Sequence, residues 1–474
     1  MADCNPNRFF GVLPQELTDT IIDFLHDDRN TLKSCSLVCH SWIPATRFHL
    51  FRRITLDLTP NDNSKPAPNW TACTKPRISP MIQTFIQICD YSPVISSSIE
   101  KLDVHAKVSG HKWKWGAKAG YFQPHEVNAQ TLLFILNKLQ SLKSLNFTGI
   151  YIGKSEPISP HSPSFRAFTL DRLVLHHFWL MDSEDISEPI AQDLTCLFDL
   201  FYEIGELGIS TSEIFIFDAG WLDVVEFDPD RLRNLELHSS RHLKVTKFSD
   251  HAHRFCVPSA VLVSIISPNH LTTLEWNVFI PKYVIKGYIH EHAKSLSALN
   301  VSLGEMSRSE EYASFSFDVI GLSKCHALTS VKLWSTWPGT IFLESIGAFT
   351  GNLFLRCLSS LPKHVTEITL YFNLNNDSEW TLGWVYNNSH EVTAKFIRNN
   401  WPWKEIENQL LAFTHLKLVA FIQHEARLYP RFDVPLRHVD SSNPLFKAIE
   451  DGLPHFRGTP VLQFAYGYRD LDCV

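Results

Sequence analysis

A six-residue pattern, apolar-x-x-apolar-x-apolar, returns eleven times in this 474-residue chain. Repetition on this scale constrains the fold more than any other feature, because a chain of similar units folds by stacking them. The copies are Phe51/Ile54/Leu56, Ile99/Leu102/Val104, Leu142/Leu145/Phe147, Leu170/Leu173/Leu175, Ile204/Leu207/Ile209 and Leu232/Leu235/Leu237. They continue as Leu271/Leu274/Trp276, Leu296/Leu299/Val301, Leu328/Val331/Leu333, Val365/Ile368/Leu370 and Phe413/Leu416/Leu418. Between the last two apolar places stand Thr55, Asp103, Asn146, Val174, Gly208, Glu236, Glu275, Asn300, Lys332, Thr369 and Lys417. Nine of these are polar, and alternation with a period of two predicts strands with one wet face. A closed parallel barrel would bury both faces and read as unbroken apolar runs. Segments able to form helices lie between the copies: Asn128–Leu139, Pro189–Phe201, Pro258–Ile266 and Ala394–Phe413. The expectation is an α/β chain, an irregular β/α solenoid bent into a horseshoe.

The N-terminal stretch has another rhythm. Leu13, Leu17, Ile21 and Leu25 recur at steps of four, with Ile22 and Phe24 widening the stripe, and Pro14 suits a first helical turn. Asp27, Asp28 and Asn30 break that helix, and Asn30 or Thr31 is the expected cap of a second. Leu32, Cys35, Leu37, Val38, Cys39 and Trp42 follow at helical spacing, Pro44 is read as the stop, and a third turn runs through Phe48–Phe51. A module of about 40 residues is marginal alone. It must dock on the rest of the chain or offer an apolar face to a partner. Thr59–Pro80, with five prolines, reads as a linker or long loop.

The run Leu13-Pro14-x-Glu16-Leu17, Ile21-Ile22-x-Phe24-Leu25, then Leu32-Lys33-x-Cys35-Ser36-Leu37-Val38-Cys39-His40-x-Trp42 resembles the F-box. The following copies resemble degenerate leucine-rich repeats, with longer spacing (25 to 48 residues) and without the Asn/Cys position of that family. The resemblance implies a substrate receptor of SCF-type (cullin–RING) ubiquitin ligases. The F-box would bind a Skp-type adaptor, and through it a cullin, while the repeats hold a protein substrate. It implies an adaptor face of Leu13, Pro14, Leu17, Ile21, Leu25, Leu37, Val38 and Trp42. The division implied is a three-helix module over 9–53, a first strand with linker and lead-in helix over 54–98, repeats over 99–430, and a capping or irregular segment over 431–474. The alternative is an interaction scaffold whose F-box-like helices only cap the solenoid.

A substrate surface is expected on the wet strand face: Asp103, His105, His176, Glu236, His238, Glu275, Lys332, Trp334 and Tyr371. Asp103, Glu236 and Glu275 give the earlier copies an acidic bias, whereas Lys332 and Lys417 make later ones basic. A slip of one residue in register would move every side chain to the other face. His105–Lys118 interleaves lysines with Trp113 and Trp115, and Ser159-Pro160 and Ser162-Pro163 lie in a Pro/Ser-rich loop; both also read as plain loops.

The net charge of −7 disfavours nucleic acid as a partner. The longest apolar runs fall far short of a membrane helix. Met1–Gly11 has no apolar run of the kind a secretory signal needs. Ten scattered cysteines without Cys-x-x-Cys suggest a reducing compartment, cytoplasm or nucleus. Cys35, Cys39 and His40 lack further ligands nearby, and no His pair completes a metal pattern, so no cofactor or metal is expected. No nucleophile elbow, phosphate loop, dinucleotide fingerprint or H-E-x-x-H is present, so a non-catalytic role is expected.

Overall fold

The computed structural model describes residues 14–58, 79–106, 126–153, 167–180, 188–211, 243–250, 257–277, 282–302, 320–338, 343–375, 389–424, 436–438 and 443–467. The chain divides into two compact units, Met1–Glu203 and Ile204–Val474.

The first unit opens with helices α1 (Gln15–Phe24), α2 (Arg29–Cys35) and α3 (Ile43–Arg52), with a 3-10 turn at His40–Trp42. Asp28, rather than Asn30 or Thr31, caps α2: its Oδ1 accepts from the N–H groups of Asn30 and Thr31 at 3.1 and 3.0 Å. Pro44 does not stop a helix. It lies in the first turn of α3, where a missing N–H costs no hydrogen bond.

Strand β1 (Arg53–Asp57) follows α3 directly. Next come α4 (Pro80–Tyr91), α5 (Pro93–Ser98), β2 (Lys101–His105), β3 (Glu126–Val127) and α6 (Ala129–Lys138). Strands β4 (Ser144–Thr148), β5 (Tyr151–Ile152) and β6 (Phe168–Leu180) and helix α7 (Glu188–Phe198) complete it. β1, β2, β4 and β6 form a parallel ladder that aligns the repeated apolar places, Ile54↔Leu102↔Leu145↔Leu173 and Leu56↔Val104↔Phe147↔Leu175. Apart from Ile54, these residues are buried. Two such side chains per strand give a gross stabilisation of about 3–6 kcal/mol. This favours stacking of each repeat on the next.

β7 (Phe201–Thr211) runs across the division between the units. In the second unit β8 (Lys244–Asp250), β9 (Thr273–Asn277), β10 (Ala298–Ser302), β11 (Ser330–Pro338), β12 (Glu367–Asn375) and β13 (Leu418–His424) pair in parallel in that order. β15 (Leu462–Gly467) continues the ladder, and β14 (Leu436–His438) closes it antiparallel. The helices are α8 (Val257–Ile265), α9 (Lys282–His292), α10 (Leu343–Ser360), α11 (Ser389–Asn400), α12 (Trp403–Leu411) and α13 (Pro444–Gly452). The single helical stretch read over Ala394–Phe413 is two helices, broken at Trp401–Pro402.

Register corrects two expectations and adds one copy. Ile368 faces Val419 and Leu370 faces Phe421, so the copy at β13 is Leu416/Val419/Phe421, three residues later than Phe413/Leu416/Leu418. Lys417 therefore precedes the strand instead of standing on its face. Phe248 faces Leu274 and Asp250 faces Trp276, so β8 carries a copy, Val245/Phe248/Asp250, whose third core place holds a buried carboxylate. The copy at Leu232/Leu235/Leu237 lies outside the described residues.

The wet strand face is corrected as well. Trp334, Tyr371, Ile422 and Ala465 lie opposite one another across four strands and form a buried apolar cluster with Ala420. The rings of Trp334 and Tyr371 stack 5.5 Å apart. Asp103, Val174, Glu275, Asn300 and Thr369 are also buried. Alternation reports which side of a strand each residue takes, not whether that side is solvated.

Candidate functional site

The helical module divides its apolar residues between two stripes of the same helix. On α1, Thr18 and Ile22 are buried and Leu25 is half-buried. Ile22, Leu32 and Cys35 form a small core, with Leu25, Trp42, Ala45 and Leu50 packed against it. Leu17, Ile21 and Phe24 stand at i, i+4 and i+7, one face of a 3.6-residue helix. All three are exposed, Phe24 at 83%. Leu37 (86% exposed) and Val38, in the turn after α2, are bare as well, and Pro14 is exposed at the start of α1.

Of the eight residues that the F-box resemblance assigns to an adaptor face, Pro14, Leu17, Ile21, Leu37 and Val38 are on the surface. Leu25 and Trp42 face the module's own core, and Leu13 lies outside the described residues. Phe24, absent from that assignment, is among the most exposed apolar side chains. Its i+7 relation to Leu17 was the available signal.

Polar contacts tie α1 to α3 and brace the turn between α2 and α3. Nε2 of the buried His49 ring on α3 lies 2.7 Å from Oδ1 of Asp23 on α1. The Thr46 hydroxyl donates to the Trp42 carbonyl at 2.8 Å. Cys39, exposed beside Val38, has its thiol 3.1 Å from the Ser41 hydroxyl. That bond outweighs burial and holds the thiol pKa below its ordinary value.

Below α3 the module is locked to the first repeat. Arg52 Nε donates to Glu100 Oε2 at 2.7 Å, and Lys143 Nζ reaches Glu100 Oε1 at 3.0 Å. Arg53 Nε donates to Asp103 Oδ2 at 2.9 Å, and Asn146 Nδ2 donates to Asp103 Oδ1. Burial alone would raise the Glu100 pKa; hydrogen bonds from Lys143 and Arg52 outweigh that and bring it below its ordinary value.

The substrate residues expected on the strand face scatter. His176 is exposed and His105 half-buried, aligned through Thr148 in one row that begins at Asp57. Lys332 is half-buried, whereas Trp334 and Tyr371 are interior. Asp103 is sunk beneath Arg53, and Glu275 is buried, accepting from Asn300 Nδ2 at 3.3 Å. The acidic bias thus does not reach the surface at Asp103 or Glu275. Glu236, His238, most of His105–Lys118 and the two Ser-Pro sites lie outside the described residues.

No protein-family model matches the chain, and no curated protein matches it. Among solved structures, it is similar to the leucine-rich repeat-containing protein LegL7 from Legionella pneumophila. Identity is 14% and the TM-score 0.33, covering 86% of this chain and all of that one. Among the described residues no helix is long and apolar enough to cross a membrane, and no group of three or more His, Cys, Asp or Glu side chains is placed to hold a metal ion.

Proposed function

We propose that the chain is a non-catalytic substrate receptor of an SCF-type ubiquitin ligase. In this reading α1–α3 bind a Skp-type adaptor, and through it a cullin, in the cytoplasm or nucleus, while the repeats hold a protein substrate. The observation that carries the reading is the second apolar stripe of α1. Leu17, Ile21 and Phe24 lie outside the module's core and are exposed, as are Leu37 and Val38. An exposed apolar surface of this kind marks an interaction site or invites aggregation. The contribution to ubiquitin transfer is proximity, since other subunits supply the chemistry. The test is a pull-down of purified adaptor by the full chain and by Leu17→Ser/Phe24→Ser. Capture by the first and not the second fits the reading. Capture by neither, or equally by both, overturns it.

A second reading, an interaction scaffold capped by its N-terminal helices, is favoured by the direct run of α3 into β1 and by the Arg52–Glu100 and Arg53–Asp103 pairs. Deleting residues 1–50 discriminates. A capped solenoid should then melt at markedly lower temperature, since an uncapped terminal repeat exposes its core.

A further inference from the structure

The part of the strand face whose sequence promises acidity is basic in three dimensions. Arg53, Lys101, Ser144 and Arg172 stand opposite one another across β1, β2, β4 and β6, on the side of the sheet that also carries Asp103. Immediately before these places come Arg52 at the end of α3, Glu100 and Lys143 ahead of β2 and β4, and Asp171 in β6. Five cations and three carboxylates leave an excess of two positive charges, within a chain of net charge −7.

Depth sharpens the imbalance. Asp103 is 2% exposed and Glu100 18%, whereas the Arg53 and Lys143 side chains are 65% and 56% exposed. Two of the three acids are therefore sunk beneath Arg53 and Lys143, while Lys101 and Arg172 are half-buried. Arg53 bonds Asp103 through Nε, which leaves its terminal nitrogens for the forked grip that suits a second acid group. Lys101 Nζ is 3.8 Å from Asp103 Oδ1, beyond hydrogen-bond reach. The Ser144 hydroxyl, between Lys101 and Arg172 in the row, has no hydrogen-bond partner.

We propose that this N-terminal end of β1, β2 and β4 is the docking surface for an acidic protein segment, whose carboxylate or phosphate groups sit on Arg53, Lys101 and Lys143. Calling that segment part of a ubiquitination target rests on the ligase reading; the surface itself does not. Protein is favoured over nucleic acid for two reasons. The two rows hold no aromatic ring on which a base could stack. The net charge of the whole chain repels a long polyanion.

The test uses the full chain and fluorescence anisotropy with three labelled probes: a Glu/Ser decapeptide, its phosphoserine form and a single-stranded DNA decamer. Lys101→Gln/Lys143→Gln removes one half-buried and one exposed charge while Arg53 and Arg52 still cover the buried acids. Arg53→Lys keeps the charge and loses the fork. Expected results are binding of at least one acidic peptide, weakened about tenfold or more in the double variant and by a rise from about 0.05 to about 0.5 M salt. Arg53→Lys should weaken it less, and every variant should still unfold in one cooperative transition, somewhat earlier than wild type because a bond to Glu100 or Asp103 is lost. The tighter of the two peptides identifies carboxylate or phosphate as the group recognised. Failure of both peptides to bind, equal binding by wild type and double variant, or tighter binding of DNA than of either peptide overturns the proposal. Adaptor capture, measured on the same proteins, reports separately on the ligase reading.

Discussion

Replacing Phe24 by serine separates docking from folding. The side chain is 83% exposed, so folding withdraws little of it from water, and the stability change should stay within about 0.5 kcal/mol. In a complex that covers α1 the same ring would lose most of its exposed surface. Truncation of a buried aromatic anchor then costs about 2 kcal/mol, close to a thirtyfold rise in Kd. Ile22, two residues away on the inward stripe, is fully buried. Ile22→Ala should therefore cost about 2–5 kcal/mol of stability through lost transfer energy and a cavity. The assay pairs thermal unfolding with titration calorimetry against purified Skp-type adaptor. The reasoning predicts opposite profiles: Phe24→Ser loses affinity and keeps its melting temperature, and Ile22→Ala loses melting temperature. A Phe24→Ser protein that unfolds early, or binds as well as wild type, would refute the division of α1 into two stripes with separate roles.

Asn128 accepts from the Thr131 N–H at 2.9 Å as the cap of α6, so Asn128→Ala should cost about 1 kcal/mol in denaturant unfolding. Gly452 packs against the Trp403 ring so closely that an added Cβ would overlap it; Gly452→Ala should destabilise by about 1–3 kcal/mol in the same measurement. Because folding lowers the Glu100 pKa, its ion pairs with Arg52 and Lys143 stabilise the fold above the ordinary value of 4.5, and that contribution fades as pH falls through the lowered value. Acid unfolding curves of Glu100→Gln should accordingly be flatter there than those of wild type; identical curves would count against the linkage.

Legibility followed the strength of the local pattern. Where each copy offers one set of apolar residues, as at Leu102/Val104, Leu145/Phe147 and Leu299/Val301, sequence and ladder coincide. At Leu416–Ile422 every residue but Lys417 is apolar, so two registers satisfy the template, and helix α12 ending at Leu411 decides between them. β8 escaped because its third core place holds Asp250, and no hydrophobicity template admits a carboxylate there. The docking face was half legible. Steps of four pick out Leu17, Ile21 and Leu25, but only tertiary packing tells that Leu25 turns inward while Phe24 turns out. Arg53 and Lys101 went unnoticed because a sequence shows charges in order and not in depth. Asp103 reads as an acidic surface until Arg53 is seen lying over it.

The junction of Arg52 and Arg53 has a mechanical meaning. A helix ends and a strand begins at consecutive residues, each bolted to a neighbouring strand by its own ion pair. Such a joint has no swivel. Whatever grasps the leading helices steers the first strands through the same angle, so cargo riding on those strands would be aimed by the stiffness of the backbone and not by the sweep of a tether.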